Sequence, residues 1–527
     1  MLSALVTGCA LPTVPAPHST AAPIATAIAT PTAVPPTPTA TPRPVLADVD
    51  VTLPGVLDTL NPLLSRSAAA RAVASLVFPG LVTSTADGQF VASLAANWRA
   101  SGLTWTFHLD PTRHWQDGAS VTSADVAYTL NLIQAANSPV EPQAQSAWQG
   151  IQVATPDLNT VVLTVPPSVG SGILDLATVP ILPAHLLGAT PAGALQLLPF
   201  DSHPIGSGAY RVVAANSLTA TLVTTGRDDL QPRQVTVRMV GSGSNAPVAT
   251  QPRVGAITLL GSDNTSSGIP TTSLPLARPV FVFFNVHDPT LGDVAVRRAL
   301  NLAVSRTKLV ADPLLGFAQP LRGPMLTGIW EAGGTAELPT HDLAAAAQDL
   351  QNSGWLSAPN GTRSRASTPL AITLLVDVDP GRLAVAQAIA ADWQAVGVLT
   401  SVQTVGLDGL LRDFVAPGHF QAAIIGTQQR GVVPDLADLW HTGGGLNISG
   451  WNDPVADAGL ESTLSADPAT QRAGYRAFAQ RFADEVPAIP LYVPTVRYVV
   501  QGLRLPPAIL NDPAEVLRGA TSWRATP

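Results

Sequence analysis

Residues 104–130 read TWTFHLDPTRHWQDGASVTSADVAYTL, and this stretch carries the densest structural signal in the chain. Large apolar residues alternate with polar ones at its start, which predicts a β-strand with one buried face. Asp117-Gly118 predicts a turn, because glycine accepts positive φ and aspartate can bond its own backbone nearby. Thr122 and Asp125 have the spacing of a capping box, so a helix is expected directly after them. The stretch is therefore predicted to fold as a strand, turns and a capped helix.

The same stretch resembles the signature of the family 5 extracellular solute-binding proteins, the peptide, nickel and oligosaccharide receptors of ABC importers. Other segments resemble further motifs of this family and follow in the family's order between about residues 50 and 505. The matching segments are Thr59-Leu60-Asn61-Pro62-Leu63, Leu81-Val82, Leu94-Ala95 with Trp98, Phe107 with Leu109, Trp115 with Asp117-Gly118, Val121-Thr122 with Asp125-Val126, Leu182-Pro183 with His185-Leu186-Leu187, Pro204 to Tyr210, Phe284-Asn285, Asp293 to Arg306, and Glu485 to Tyr492. The resemblance therefore covers most of the chain.

The resemblance implies an α/β fold of the two-lobed periplasmic-binding-protein type (type II, large cluster), with mixed sheets, hinge strands and an extra subdomain in lobe 1. In this arrangement the opening stretch is structural, so Trp105, Phe107 and Trp115 are interpreted as core residues and not as ligand contacts. The expected domains are lobe 1 at 45–280 with its subdomain at about 78–200, lobe 2 at 281–489, and a C-terminal return to lobe 1 at 490–527.

Local patterns predict regular elements throughout the folded part of the chain. Strands are expected where β-branched and aromatic residues alternate with polar ones, and helices where apolar residues recur at helical spacing. The clearest strands are predicted at 160–165, 219–224, 234–240 and 279–285, and the clearest helices at 293–305, 342–353 and 381–396.

The composition excludes some classes of function. Charged residues make up 12% of the chain and the net charge is −8, so the clustered basic face that nucleic-acid binding requires is not expected. The longest apolar runs, such as 279–284, are far shorter than the roughly 20 residues that span a bilayer. Arg297, Arg298 and Arg306 fall in or just after an alanine-rich predicted helix, and they are interpreted as surface or lobe-pairing charges.

The N-terminus resembles a bacterial lipoprotein leader. Leu5-Val6-Thr7-Gly8-Cys9 is similar to a lipobox, in which the cysteine receives lipid, so residues 1–9 are interpreted as the remnant of a signal peptide. Cys9 is the only cysteine, which excludes an internal disulfide. Residues 10–44 are almost entirely alanine, threonine and proline, a composition typical of a disordered, extended tether. A chance cysteine in a leader is the alternative interpretation.

The leader is shorter than a secretory signal should be. No charged residue precedes Cys9, whereas such a signal has a basic start and an apolar stretch of about 7–15 residues. We therefore expect the true translation start to lie upstream of Met1.

The resemblance implies a receptor that works without catalysis. Ligand would contact both lobes and favour the closed state, because only that state makes both sets of contacts. The expected protein is an extracytoplasmic, lipid-anchored monomer that captures a peptide-like or another small polar solute, an anionic solute being one option, and delivers it to an ABC permease in the membrane. A ligand-sensing lipoprotein without a permease and a secreted hydrolase are the alternatives.

Enzymatic motifs are missing from the sequence. It has no His-Glu-x-x-His, no Gly-x-Ser-x-Gly and no metal-ligand spacing among its nine histidines. We therefore expect no enzymatic activity, no metal site and no cofactor, although the carboxylates leave a glycosidase pair open.

The resemblance also points to a ligand-binding loop. In peptide-binding members of the family, a loop after a second-lobe strand carries an aspartate that pairs with the ligand's α-ammonium, and this position falls on or next to Arg430. Arginine there opposes an ammonium group and suits a carboxylate, phosphate or sulfate, while Gln428 and Gln429 could bond hydroxyls or amides. Alternatively, Arg430 points into solvent or pairs with Asp435. Weaker candidates for the cleft are Thr427, Ser65, Arg66, Asn447, Trp451 and Tyr492.

Overall fold

The structure is a computed structural model of the chain. The residues that it describes are 48–85, 89–198, 203–226, 232–240, 255–260, 271–326, 336–429 and 436–525. Within these ranges, no helix combines the length and the apolar character that crossing a membrane requires.

Most helices are short. The α-helices are α1 (Ala68–Ser75), α2 (Ser123–Gln134), α3 (Pro142–Ala147), α4 (Ile173–Leu176), α5 (Ala184–Leu187), α6 (Val294–Ala303), α7 (Arg306–Ala311), α8 (Leu343–Asn352), α9 (Pro380–Ala395), α10 (Leu407–Gly409), α11 (Ala437–Trp440), α12 (Pro454–Ser462) and α13 (Pro468–Glu485). Further helical turns are 3₁₀ at Gly170–Gly172, Ala192–Leu197 and Pro513–Ser522, and π at Leu410–Val415. Helices α2 and α9 pack on strands, while α12 packs on α13 and α6 on α8.

The strands differ widely in length, and one of them is much longer than its neighbours. They are β1 (Asp48–Pro54), β2 (Val82–Ser84), β3 (Phe90–Ala92), β4 (Ala95–Ser101), β5 (Thr104–Leu109), β6 (Gln152–Asp157), β7 (Thr160–Thr164), β8 (Tyr210–Asn216), β9 (Thr219–Thr224), β10 (Gln234–Val240), β11 (Ala256–Leu260), β12 (Thr271–Pro275), β13 (Val280–Phe284), β14 (Ala318–Pro320), β15 (Leu356–Ser357), β16 (Arg363–Arg365), β17 (Thr368–Pro369), β18 (Ala371–Val376), β19 (Leu399–Thr404), β20 (Ala422–Gly426), β21 (Ala488–Gln501), β22 (Leu503–Arg504) and β23 (Arg524–Ala525).

The local predictions agree closely with these elements. β9 and β10 have the predicted bounds, and α6, α8 and α9 lie within two residues of the predicted ends. Aspartate side chains begin several helices by accepting hydrogen bonds from backbone N–H groups of the first turn, which satisfies donors that the helix itself leaves free. The capping aspartates are Asp293, Asp342, Asp379, Asp453 and Asp467.

One large mixed sheet organises the chain. Its strand order is β19-β18-β20-β13-β21-β11-β1-β10-β9-β8, and β12 and β14 also pair with β21. The first half of β21 pairs with β13 and β14, and its second half pairs with β11 and β12. A separate four-stranded sheet has the order β4-β5-β7-β6.

The buried apolar residues form two clusters. Members of the first cluster lie between Val49 and Leu276 and between Tyr498 and Trp523. Members of the second cluster lie between Ala277 and Val493. The chain therefore passes between the clusters after Leu276 and again within β21. The predicted domain boundaries stay a prediction.

The opening stretch folds as the sequence predicts. In β5, Trp105 and Phe107 lie on the buried face, at 3% and 0% exposure. Gly118 has a φ of +94°, which explains the glycine in this turn. The capping box is present, with Thr122 N donating to Asp125 Oδ2 over 2.8 Å.

Asp125 also holds neighbouring segments together. Its carboxylate accepts a hydrogen bond from Trp115 Nε1 at 3.3 Å and one from the N–H of Ala184 at 2.8 Å. One buried side chain thus joins the turn, the start of α2 and the start of α5.

The interpretation of Arg297 and Arg306 as surface or lobe-pairing charges is wrong. Their exposures are only 3% and 5%. Arg306 Nε donates to the carbonyl of Pro490 over 2.6 Å, and its Nη2 donates to Asn301 Oδ1 over 2.6 Å. Burial lowers the pKa of both arginines to about 10. Arg298, in contrast, is exposed.

The guanidinium of Arg297 binds backbone carbonyls at the entrance to β21. Its Nε donates to Glu485 O at 3.0 Å and Val486 O at 3.1 Å. Its Nη1 donates to Leu291 O at 2.8 Å and Gly292 O at 3.1 Å. The planar fork of an arginine suits this set of acceptors, which lie in two directions.

We expect Arg297→Met to lower the free energy of unfolding by about 3 kcal/mol, because it leaves several buried carbonyl oxygens without a donor. Arg297→Lys should recover little of this loss, because an ammonium lacks the guanidinium fork. Arg298→Met is the matched control and should cost much less, because that side chain is exposed. Denaturant unfolding measures all three variants, and equal losses for Arg297→Met and Arg298→Met would contradict the structural role.

Candidate functional site

A cavity of about 350 Å³ lies between elements of the two clusters. Strand β2, Leu274 and the segment 505–522 line it from the first cluster. Leu326 and Gln429 line it from the side of the second cluster. Its volume is within the range of about 300–1,000 Å³ that is typical of small-molecule sites. We call it the Gln429 cavity.

Backbone pairing places Gln429 in this cavity. After β20 the chain continues alongside the segment before β13, where Thr427 N donates to Pro279 O at 2.9 Å and Gln429 N to Ala277 O at 3.0 Å. Side chains alternate along such an extended segment, so Gln428 is exposed while Gln429 is buried at 7% exposure. Thr427 Oγ1 donates to Pro279 O at 3.3 Å and is half-buried.

The oxygen of Gln429 is unusual. Oε1 is buried and has no hydrogen-bond partner in the part of the chain that the structure describes. An unsatisfied buried acceptor costs about 1–3 kcal/mol, so its presence in a cavity indicates a place where a ligand can donate. Arg430 and Asp435, the charged residues of this loop in the sequence prediction, lie outside the described residues.

The C-terminal segment contributes a second polar wall. Asn511 Oδ1 is buried without a partner among the described residues, and Asn511 N donates to Glu515 Oε2 over 2.7 Å. Glu515 Oε1 also pairs with Arg518 Nη2 at 3.0 Å. The sequence analysis missed this wall, because the polar residues of 505–522 carry no motif and only the tertiary fold brings them to the cavity.

Ser65 and Arg66 lie in a loop organised by Asp58. Ser65 is buried and its Oγ donates to Asp58 Oδ1 at 2.6 Å. Arg66 N donates to Asp58 Oδ2 at 2.7 Å, while the Arg66 side chain is exposed and lies 3.9 Å from Glu141 Oε1. Neither residue lines the Gln429 cavity.

Of the remaining predicted residues, Trp451 and Tyr492 belong to the second cluster, and Asn447 lies in a loop between its members. Asn447 Nδ2 donates to Trp451 O at 2.7 Å, which closes a loop. Trp451 is 4% exposed and packs edge-on against Phe482, with 6.3 Å between ring centroids. Tyr492 is buried in β21, and this burial raises its pKa. The structure thus brings Gln429 to the cavity, while Asn447, Trp451 and Tyr492 do not line it.

A second cavity, of about 390 Å³, lies beside a contact between the clusters. Trp98 and Trp105 form its aromatic wall. At its edge, Gln471 Nε2 donates to Ser171 Oγ at 2.9 Å, and Ser171 N donates to Leu464 O at 3.0 Å. These bonds join residues beside the first cluster to residues beside the second.

Metal ligands are not grouped in the described ranges. There, no set of three or more histidine, cysteine, aspartate or glutamate side chains is arranged to hold a metal ion.

The Asp58 loop provides a pH-dependent prediction. Burial by itself would raise the pKa of Asp58, but hydrogen bonds from Ser65 Oγ and from the backbone of Thr59, Arg66 and Ser67 lower it below 3.8 overall. Because the folded pKa is depressed, this contribution to stability is complete above the unfolded pKa and is lost as the pH falls through the folded pKa.

We therefore expect Asp58→Asn to reduce the free energy of unfolding at pH 7, with the difference from the wild type shrinking in acid. Urea unfolding over a series of pH values measures this difference. Asp408→Asn, at an exposed position, should leave stability nearly unchanged at each pH. A constant deficit for Asp58→Asn down to low pH would contradict the assigned carboxylate.

Comparison with known proteins extends these observations. Residues 89–448 match the sequence model of the family described as bacterial extracellular solute-binding proteins, family 5 Middle. Protein XP55 of Streptomyces lividans is 26% identical over 461 residues, which cover 80% of this chain and 78% of that protein. The glutathione-binding protein GsiB of Pectobacterium atrosepticum is 24% identical over 347 residues, covering 60% of this chain and 62% of GsiB.

The fold also matches solved structures. The unliganded open form of the periplasmic murein tripeptide binding protein MppA aligns with a TM-score of 0.78 at 19% identity, covering 92% of this chain and 99% of MppA. The two-lobed, mixed α/β fold class that the family resemblance implied is thereby confirmed.

Proposed function

Because the chain belongs to the bacterial extracellular solute-binding proteins of family 5, the binding proteins of ABC importers, we propose that it captures a peptide-like or another small polar solute outside the cytoplasm and delivers it to a membrane permease. The observation that carries this proposal is the Gln429 cavity, which lies between the two clusters and has an unpartnered buried oxygen in its wall. The glutathione-binding and murein-tripeptide-binding relatives support a peptide-like solute.

In the proposed mechanism the two clusters are the cores of the two lobes. The chain crosses between them after Leu276 and within β21, so bending at these crossings changes the width of the Gln429 cavity. A solute that contacts both walls favours the narrow state, because it gains both sets of contacts only there. The bonds of Ser171 with Gln471 and Leu464 would form in that closed state.

The arginine at position 430 bears on the charge of the proposed ligand. An arginine in the cleft favours an anionic group and opposes an ammonium, so an anionic polar solute is proposed ahead of a free-amino peptide. This preference rests on the sequence, because Arg430 lies outside the described residues.

We expect the purified protein to be stabilised by its solute in a thermal-shift screen of di- and tripeptides, sugars, organic acids and phosphorylated compounds. A solute at 100 times its Kd should add about 2.7 kcal/mol of stability. Arg430→Ala should reduce the effect of an anionic solute, while Arg412→Ala, which removes an exposed arginine paired with Asp413, should not. If ordinary peptides stabilise the protein strongly and the Arg430→Ala variant equally well, the proposed preference for an anionic solute is contradicted.

Chemical analysis of the solute after incubation tests the receptor class itself. An unchanged solute is expected, and turnover would favour a secreted hydrolase. The gene neighbourhood distinguishes an importer subunit from a sensor: permease and ATPase genes beside this gene are expected for an importer, and their absence would favour a sensor.

The lipid anchor is proposed from the sequence, since Cys9 and the tether at 10–44 lie outside the described residues. In cells that express the protein with its complete leader, we expect it to fractionate with membranes. Cys9→Ser should release it, because it removes the acceptor of the lipid, and Ser19→Ala in the tether should not. Unchanged membrane association of Cys9→Ser would refute the anchor.

A further inference from the structure

Two unpartnered oxygens belong to residues that line the Gln429 cavity. Several buried side-chain atoms of the described ranges lack hydrogen-bond partners, but those that belong to residues lining this cavity are Gln429 Oε1 and Asn511 Oδ1. Gln429 follows β20 on the side of the second cluster. Asn511 is next to Leu510, a member of the first cluster. Both unpartnered atoms are carbonyl oxygens of amide side chains, so both can only accept hydrogen bonds.

The backbone holds both residues against the same short segment. Gln429 N donates to Ala277 O at 3.0 Å, and Ala277 N donates to Leu510 O at 2.7 Å. Leu510 N in turn donates to Pro275 O at 2.9 Å. The backbones at Gln429 and at Leu510, next to Asn511, are therefore tied to residues 275–277, which sets the positions from which the two side chains extend.

The charged residues that line the cavity restrict the class of ligand further. Among its described lining residues, Glu515 and Arg518 are charged, and they pair with each other at 3.0 Å. The Glu515 carboxylate also accepts from Asn511 N at 2.7 Å. Because this carboxylate is already paired, an ammonium group bound at the two amide oxygens would lack a counter-charge, which is unfavourable in a desolvated site.

Resting on the proposed receptor function, we propose that Gln429 Oε1 and Asn511 Oδ1 together accept hydrogen bonds from an uncharged N–H group of the solute, such as a carboxamide or an internal peptide amide. The two residues then determine specificity, because they select solutes with neutral N–H donors. Esters bind more weakly because they lack the donor, and free amines bind more weakly because their charge is not compensated. Apolar neighbours such as Leu274 and Leu326 contact the remainder of the solute.

The test uses three small probes with matched skeletons. N-acetyl-alaninamide offers neutral N–H donors at both ends, methyl 2-acetoxypropanoate has an ester in place of each amide and lacks N–H donors, and alaninamide carries an ammonium. Calorimetric titration of the full chain at millimolar probe should give a Kd for the blocked amide at least tenfold lower than for the other two. Gln429→Met and Asn511→Leu should each remove this preference, whereas Gln394→Met, at an exposed position of α9, should keep it.

A second measurement needs no ligand. If Gln429 Oε1 has no partner in the free protein, Gln429→Met removes an unsatisfied acceptor and should raise Tm by about 1–3 °C. Gln394→Met should leave Tm unchanged. A fall in Tm for Gln429→Met would show that the oxygen has a structural partner and would overturn the proposal.

The outcomes separate this proposal from the receptor function. Equal affinity for the blocked amide and the ester, tighter binding of alaninamide, or no binding of any probe would overturn the role of the two oxygens. A thermal shift with any solute of the wider screen would still leave the receptor function standing in those cases. Failure of the whole screen together with failure of the probes would count against both.

Discussion

The hydrogen-bond ladder of β21 (Ala488–Gln501) is the constraint on which the rest of the structure depends. One strand pairs with β13 and β14 along its first half and with β11 and β12 along its second half. A ladder specifies register because a slip of one residue would move every side chain to the opposite face. The two clusters therefore cannot adopt independent registers, and the geometry of any space between them follows from this strand.

Buried arginines hold the start of that strand. Arg297 donates to carbonyls of Glu485 and Val486, where the chain turns from α13 into β21, and Val486 has a φ of +46°. Such a left-handed turn in a β-branched residue is strained, so the donors that satisfy its carbonyl help to maintain it. Arg306 binds the carbonyl of Pro490, where proline interrupts the donors of the ladder. The charges that looked like surface features thus support the strand that joins the clusters.

How well the sequence predicts a feature depends on how far apart along the chain the residues that determine it lie. The capping box at Thr122 and Asp125 and the bounds of β9 depend on neighbouring residues, so local patterns predicted them. The burial of Arg297 was not predictable in this way, because acceptors such as the carbonyl of Glu485 lie 188 positions further along the chain. The family motif supplied the fold class and the loop at Gln429, but not the opposing wall at Asn511.

Specificity and conformational change can share the same hydrogen bonds in this arrangement. An uncharged N–H group that bonds Gln429 Oε1 uses the wall of the second cluster, and one that bonds Asn511 Oδ1 uses the wall beside the first. A solute that satisfies one oxygen binds open and closed forms almost equally and shifts nothing, because only differential affinity moves a conformational equilibrium. The backbones at Gln429 and Leu510 are both tied to residues 275–277, so closure mainly changes the separation of the more distant parts of the two walls. A solute that bonds both oxygens and also contacts those parts favours the narrow state. The solutes with neutral N–H donors that the cavity selects would then also be the solutes that favour closure.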